Sequence, residues 1–79
     1  MFYAYVLKSD KNGRYYYGST NDLDRRLYEH NLGRTKSLKY IRPLKLIYSE
    51  EFSTFIEARR REKFFKSGKG REFLKGLNI

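Results

Sequence analysis

The sequence GRYYYGSTNDLDRRL, residues 13–27, decides the fold because it changes from strand to helix over a few residues. Its three consecutive tyrosines favour a β-strand. Gly18, which follows them, lets the backbone leave the strand or lets another group approach it closely. Asn21 is a good helix N-cap, and Asp22 and Asp24 add negative charge to the first turn, where the helix dipole favours it. We therefore expect a strand that leads directly into a capped helix.

That helix carries two ionisable side chains on its inward face. It is predicted over residues 22–32, with Gly33 as its C-terminal glycine. The i, i+3, i+4, i+7 spacing defines the face, which consists of Leu23, Arg26, Leu27 and His30. A histidine on such a face usually serves packing alone. The arginine beside it makes a functional role worth considering.

Strand and helix patterns alternate over the rest of the chain. Turn-forming residues 9–13 join the first two strands in a hairpin, and Thr54 with Glu57 forms a capping box that starts the second helix. Gly68 and Gly70 are expected to break that helix. The predicted elements are strands at 2–7, 14–19 and 44–52 and helices at 22–32, 54–67 and 71–77. This order predicts one α+β domain over residues 1–79, with a three-stranded, mostly antiparallel sheet flanked by helices.

Side-chain alternation predicts which residues share a face. A hairpin register that pairs Lys8 with Gly13 sets Tyr5 across from Tyr16. One face of the third strand is predicted to hold Leu44, Leu46 and Tyr48. The inward face of the second helix is predicted to hold Phe55, Ala58, Glu62 and Phe65. Glu62 is therefore expected to lie between apolar side chains.

The chain has a formal net charge of +9, which is concentrated in its second half. Residues 1–33 carry a net charge of +1, and residues 34–79 carry one of +8. A basic surface of this kind favours a polyanion, and nucleic acid is the commonest polyanion in a cell. The plainer interpretation is a solvated surface that aids solubility.

Composition excludes several classes of protein. Seventy-nine residues without a cysteine hold no disulfide framework and no thiolate metal site. The apolar run at residues 2–7 is too short for a signal peptide, and nothing approaches the roughly 18 apolar residues of a transmembrane helix. We therefore expect a cytoplasmic protein without a membrane partner.

The inward-facing polar residues together suit phosphodiester hydrolysis. That reaction needs a water nucleophile, a group that takes its proton, positive charge on the phosphoryl oxygens and commonly a divalent metal ion. Glu62 can hold Mg²⁺ or Mn²⁺ through one carboxylate, and Arg26 can bind a phosphate oxygen. His30 can move a proton at neutral pH. Tyr5 or Tyr16 can position the water, or deprotonate it if a nearby cation lowers the tyrosine pKa.

At these positions the sequence resembles the GIY-YIG nuclease superfamily, over nearly the whole chain. The first motif is present as Tyr3-Ala4-Tyr5 and the second as Tyr16-Tyr17-Gly18. The further matching segments are residues 19–27, His30-Asn31 and residues 57–63. The sequence is most similar to small stand-alone bacterial members, and beyond them to the catalytic domains of excinuclease C subunits and phage homing endonucleases.

The resemblance implies a metal-dependent endonuclease that cuts DNA with one Mg²⁺ or Mn²⁺ ion, in DNA repair or recombination. The implied catalytic residues are Tyr5, Tyr16, Arg26, His30 and Glu62. Within this set Arg26 is the family's catalytic arginine, and Glu62 is its single metal-ligating glutamate. Ser19 stands where excinuclease members have a lysine that perturbs the tyrosine, which favours His30 as the base. Whether Tyr16 or His30 takes the proton stays open.

The implied partner is DNA, whether duplex, flapped, branched or single-stranded. We predict that it contacts the basic residues Arg34, Lys36, Lys39, Arg42, Arg60, Lys63, Lys66, Lys69 and Arg71. The sequence shows no recognisable DNA-targeting domain beside the catalytic motifs. A targeting or scaffold protein is therefore an expected second partner.

Three alternatives to the nuclease remain at this point. The first is a nucleic-acid-binding module on the same scaffold without catalysis, and the second is a domain that binds only protein. In the third, Glu62 and Arg26 form an ion pair that neutralises two buried charges without chemistry. The spacing of the motif residues favours the nuclease, because none of the alternatives predicts it.

Overall fold

Strands and helices occur in the order that the sequence predicts. The computed structural model describes residues 1–34 and 40–78. The elements are β1 (Phe2–Ser9), β2 (Tyr15–Thr20), α1 (Leu23–Asn31), β3 (Leu44–Phe52), α2 (Phe55–Lys66) and α3 (Gly68–Gly76). The α+β class and the three-stranded sheet are confirmed, and both strand pairs are antiparallel. Within these residues, no helix is long and apolar enough to cross a membrane.

β1 is the central strand, between β2 and β3, and both of its faces are covered. On one face Ala4 and Val6 are fully buried in a core with Phe65 of α2 and Leu74 of α3. Apolar side chains at alternate positions of a central strand can serve two cores, one on each side of the sheet. Helices α2 and α3 therefore form one outer layer of the domain.

The other face of β1 packs against α1. Tyr5 and Leu7 are buried there with Leu44 of β3, and the partly buried Leu23 and Leu27 of α1 cover them. The inward face predicted for α1 thus faces the sheet, as the helical spacing requires. The tyrosine and histidine predicted to be functional lie on this side.

The hairpin register differs from the predicted one by two residues. Tyr5 lies opposite Gly18, and Tyr16 lies opposite Leu7. The cause is a longer turn, which the buried hydroxyl of Ser9 organises by accepting hydrogen bonds from two backbone N–H groups. Because the difference is an even number of residues, Tyr5 and Tyr16 still share a face.

β3 contains a bulge that changes its predicted alternation. Val6 pairs with Tyr48, but the next pair joins Leu7 to Leu46, so Ile47 is the additional residue. Leu46 consequently packs on the α1 side, whereas Ile47 and Tyr48 pack on the side of α2 and α3. The prediction that Tyr48 shares a face with Leu46 is wrong for this reason.

Side-chain caps fix the beginnings of α1 and α2. The capping box of α2 is confirmed, because Thr54 Oγ1 accepts a hydrogen bond from the Glu57 N–H and donates one to its carboxylate at 2.8 Å. The N-cap of α1 is Asp22, which accepts from the Arg25 N–H, and not Asn21. Both residue types are good caps, so the sequence leaves a choice of one position.

α2 and α3 meet at Ser67, which is the C-cap of one helix and the N-cap of the other. Its hydroxyl donates to the carbonyl of Phe64 and accepts from the N–H of Gly70. Gly68 and Gly70 therefore lie inside the first turn of α3, and the prediction that α3 begins only after them is wrong. A Cβ at Gly70 would overlap the backbone of α2, so this glycine permits the close junction.

Candidate active site

The Tyr5 side chain crosses β2 and reaches α1. Tyr5 lies opposite Gly18, and a Cβ on Gly18 would overlap the Tyr5 ring and hydroxyl. Glycine at this place in the second motif therefore gives the phenol room to lie against the strand. The Tyr5 hydroxyl is 3.1 Å from Nε2 of His30, and both side chains are buried. The first motif strand, β1, is thus joined to α1 by a buried hydrogen bond that passes over Gly18 of β2.

Tyr16 and Arg26 border this buried pair. The ring of Tyr16 meets the ring of His30 edge-on, with centroids 5.4 Å apart. Tyr16 is only partly buried, so it is the member of the tyrosine pair that solvent reaches more readily. Arg26 lies one turn before His30 on α1, leaves 41% of its side chain exposed and forms a long ion pair of 3.8 Å with Glu29.

Burial sets the protonation of the Tyr5 and His30 pair. It raises the pKa of Tyr5 to about 12, although the nearby Arg26 acts in the opposite direction. Burial, together with the charge of Arg26, lowers the pKa of His30. Both groups are therefore neutral at pH 7. The charge of Glu62 also acts on the pKa of Tyr5, which places this carboxylate within electrostatic range of the pair.

Glu62 of α2 has a mostly buried side chain, which three neighbours hold in place. Ser19 of β2 donates a hydrogen bond to its Oε1 at 2.7 Å, and Lys66 donates to its Oε2 at 2.9 Å. Arg59 is 3.8 Å away. Burial alone would raise the pKa of Glu62, but the hydrogen bonds and the two cations together hold it below its ordinary value.

The alternative ion pair between Glu62 and Arg26 is not formed within the described residues. Glu62 pairs with Arg59 and Lys66, while Arg26 pairs with Glu29. The two groups stand on different helices, on opposite sides of the sheet. Their charges therefore do not neutralise each other. The alternative of a purely structural ion pair between Glu62 and Arg26 is wrong.

The family follows from comparison of the whole chain with known proteins. Residues 1–78 match the family model described as the GIY-YIG catalytic domain. The chain belongs to the GIY-YIG family. The sheet with its three helices is accordingly a nuclease-type fold, and the GIY-YIG resemblance seen in the motifs is confirmed.

Bacterial relatives share much of this GIY-YIG sequence. It is 48% identical over 67 residues to the UPF0213 protein SAG0778 of Streptococcus agalactiae, a match that covers 81% of this chain and 73% of the relative. It is 45% identical over 65 residues to the UPF0213 protein YazA of Bacillus subtilis, covering 81% of this chain and 65% of the relative. These names state no activity.

A solved structure is similar to the GIY-YIG chain over almost its full length. The solution NMR structure of the UPF0213 protein BH0048 from Bacillus halodurans has a TM-score of 0.57 and 35% sequence identity, and the match covers 98% of this chain and 85% of that one. The similarity supports the fold assignment.

The acidic residues of this GIY-YIG domain fit a metal ion held mainly by water and substrate. In residues 1–34 and 40–78 no group of three His, Asp or Glu side chains is placed to hold an ion. Glu62 fits the other arrangement, in which one carboxylate binds Mg²⁺ and waters and phosphate oxygens complete the coordination. Its Oε2 already has a cation, the Lys66 ammonium, beside it. A metal ion at Oε2 would therefore have to displace this ammonium.

The predicted DNA-binding residues occupy several different environments. Arg34, Arg60, Lys63, Lys66, Lys69 and Arg71 are exposed. Arg42 is partly buried and donates a hydrogen bond to the carbonyl of Asn31 at 3.2 Å, so it also ties α1 to the segment before β3. Lys36 and Lys39 lie outside the described residues. Contact of these side chains with DNA stays a prediction.

Two residues of the site have roles that the sequence did not indicate. Ser19 was notable only for replacing a lysine, but it holds Glu62 across the edge of the sheet. Asn31 binds the backbone of Leu44 twice, donating to its carbonyl at 3.0 Å and accepting its N–H at 2.7 Å. This clamp fixes the end of α1 that carries His30. The His30-Asn31 pair in the motif was the available signal for Asn31.

Proposed function

We propose that the protein is an endonuclease that hydrolyses DNA phosphodiester bonds with one Mg²⁺ or Mn²⁺ ion bound at Glu62. The supporting observation is that four of the motif residues lie where β1, β2 and α1 meet, while Glu62 of α2 contacts Ser19 of the same strand β2. Tyr5, Tyr16 and His30 are in mutual contact or close to it, and Arg26 and Glu62 both act on the Tyr5 pKa. Their proximity supports a common site for residues that are far apart in sequence.

Because His30 is buried, it and Tyr16 have different roles in the proposed mechanism. His30 is fully buried and its Nε2 faces Tyr5, so it does not meet a water molecule bound at the surface. It is a positioning residue that holds the Tyr5 hydroxyl in place. Tyr16, the more accessible tyrosine, is then the group that orients the attacking water and accepts its proton.

Arg26 supplies positive charge to the phosphate. Its side chain is partly exposed, and its ion pair with Glu29 is long, so the guanidinium can turn toward a substrate oxygen at little energetic cost. A guanidinium binds phosphate through two parallel hydrogen bonds, which fixes the orientation of the scissile group. Arg26 therefore both binds the substrate and stabilises the charge that develops in the transition state.

Glu62 provides the metal site, and Ser19 prepares it. The hydrogen bond from Ser19 fixes Oε1 and contributes to the low pKa of the carboxylate, so Glu62 is anionic at neutral pH. A bound Mg²⁺ or Mn²⁺ ion would supply positive charge at the phosphate and acidify a coordinated water. Lys66 would give up its contact with Oε2 to that ion, and its long exposed side chain is free to move.

The proposal is tested by cleavage of labelled duplex, flapped and single-stranded DNA with Mg²⁺ or Mn²⁺ and with EDTA as the blank. Glu62→Gln and Tyr16→Phe should each reduce cleavage about 100-fold or more. Glu72→Gln on α3 and Tyr28→Phe on α1 are matched controls, because both residues are exposed and lie outside the site. Equal activity of Glu62→Gln and Glu72→Gln would overturn the assignment of the site.

A non-catalytic nucleic-acid-binding module is the second candidate. The observation that favours it is the single carboxylate at the site, which alone binds a divalent ion weakly and already has Lys66 beside it. This candidate predicts DNA binding that falls steeply with salt but no cleavage of any substrate in any metal. It also predicts that Glu62→Gln strengthens binding, since a negative charge facing the phosphates is removed.

A further inference from the structure

A cavity of about 460 Å³ lies on the face of the sheet away from the candidate active site. It opens between the sheet and α3. Tyr15 and Tyr17 of β2 form one wall, Leu74 of α3 forms another, and Arg71 and Lys75 of α3 are also part of the lining. The volume is in the range of pockets that bind small organic ligands.

Alternation along β2 separates its three consecutive tyrosines between the two faces. Tyr16 lies on the α1 side with the candidate catalytic residues, whereas Tyr17 pairs with Val6 and packs against Phe65 at a centroid distance of 6.4 Å. Tyr15, two positions away, shares that face and is 45% exposed. The proposed function uses only Tyr16 of the three, so Tyr15 and Tyr17 have no role in it.

The polar part of the cavity is cationic. Arg71 and Lys75 are four residues apart on α3 and therefore project from the same side of the helix. The Arg71 charge lowers the pKa of Tyr17 against the raising effect of burial, so the guanidinium lies near the phenol. Among the described residues that line the cavity there is no carboxylate. An anionic ligand with a flat apolar part is the complement of this surface.

We propose that the cavity binds an unpaired nucleotide of a single-stranded nucleic acid. Its base would lie against Tyr15 and Tyr17, since aromatic side chains bind any base through its π-face. Its phosphate would be bound by Arg71 and Lys75. The proposal depends on nucleic acid as the partner, as the proposed function does, but it does not depend on cleavage. It selects substrates with an unpaired segment over fully paired duplex.

The experiment is an NMR titration of the protein with a short oligothymidylate and, separately, with a blunt-ended DNA hairpin. We expect the oligothymidylate to shift the resonances of Tyr15, Tyr17 and Leu74, and the hairpin to leave them in place. Tyr15→Ala should weaken oligothymidylate binding about five-fold or more, and Tyr15→Phe should retain it because the ring is kept. Lys75→Ala should reduce the slope of log affinity against log salt by about 0.7.

Two variants serve as controls. Tyr28→Ala removes an exposed tyrosine from α1, and Lys11→Ala removes an exposed lysine from the turn between β1 and β2, and neither residue lines the cavity. A further titration uses thymidine monophosphate. If it binds the cavity as tightly as the oligonucleotide does, the ligand is a free nucleotide, and the proposal that the cavity binds a nucleic-acid strand is overturned.

Two other results would also overturn it. One is that oligothymidylate shifts only resonances on the α1 side, and the other is that Tyr15→Ala and Tyr28→Ala bind equally well. Loss of the proposed nuclease function would look different. In that case no DNA is cleaved, yet the cavity resonances still respond to oligothymidylate.

Discussion

The hydroxyl of Tyr5 and Nε2 of His30 are 3.1 Å apart, and both side chains are completely or almost completely buried. This buried hydrogen bond joins the central strand β1 to helix α1. The ring of the partly buried Tyr16 packs against the same histidine. Stability and the proposed catalysis therefore involve the same contact, and each can be measured separately.

Tyr5→Phe should destabilise the fold by about 1 kcal/mol, because it removes a buried hydroxyl from its partner. The coupling to His30 can be isolated in a double-mutant cycle with His30→Gln, measured by urea unfolding. We expect a coupling energy of about 1 kcal/mol. A value near zero would show that the two side chains are neighbours without an energetic link. Tyr3→Phe is a suitable control, since that hydroxyl makes only a long, exposed contact of 3.4 Å with Glu51.

Stability should fall as the pH decreases below neutrality, because burial lowers the pKa of His30. The unfolded chain takes up a proton on His30 near pH 6.5. The folded state does not do so until the pH reaches its own lower pKa, so between these two values the unfolded state binds more protons. The free energy of unfolding then decreases by up to about 1.4 kcal/mol per pH unit.

Urea unfolding at several pH values between 5 and 8 measures this dependence. His30→Gln should make the free energy of unfolding less dependent on pH in this window. The pH dependence below the Glu62 pKa should stay unchanged. A wild-type stability that is constant over the window, or that increases toward lower pH, would contradict the burial of a neutral histidine.

Ser19→Ala should raise the pKa of Glu62 toward its ordinary value, because it removes the hydrogen bond to Oε1. Carboxyl ¹³C NMR titration measures the pKa directly. Mn²⁺ binding followed by water relaxation should weaken in parallel, since a carboxylate that is less oriented binds the ion less well. Ser53→Ala is the matched control, because Ser53 donates to Glu57 at 3.3 Å in an exposed pair. An unchanged Glu62 pKa in Ser19→Ala would refute the positioning role.

Gly18→Ala should destabilise the protein by about 1–3 kcal/mol, because the new Cβ overlaps the buried Tyr5 phenol and forces it to move. It should also shift the His30 ring resonances in NMR spectra. Gly76→Ala is the control: no atom lies within 4 Å of its Cβ position, and the change in a helix should stabilise by about 0.5–1 kcal/mol. Equal stability of the two variants would mean that the glycine of the second motif is not required for packing.

Much of the fold could be predicted because its signals are local. The capping box at Thr54, the strand Leu44–Phe52 and the left-handed Gly33, with a φ of 82°, follow from residues next to one another. The features that were mispredicted depend on distant partners. Ser9 holds the turn that sets the hairpin register. Its hydroxyl also donates to the Ile41 carbonyl at 2.6 Å, a contact that no local sequence pattern predicts.

The sequence predicts candidate site residues, but it does not predict which neighbours they contact. Helical spacing placed Glu62 inward, yet only the structure shows that Ser19 holds it. Three consecutive arginines, Arg59 to Arg61, precede it. Arg61 forms a two-point contact with Glu50, at 2.7 and 3.2 Å, and its guanidinium lies 4.4 Å from the Phe64 ring centroid. Three identical residue types in a row do not reveal which one faces the core.

The position of β1 at the centre of the sheet has a consequence for synthesis on the ribosome. β1 emerges before either strand that pairs with it, and its partner β3 ends only at Phe52. The helix that buries Ala4 and Val6 comes later still. The apolar face of β1 therefore stays uncovered until most of the chain has been translated. During that interval the nascent polypeptide depends on its many charged residues, or on a chaperone, to avoid pairing with another chain.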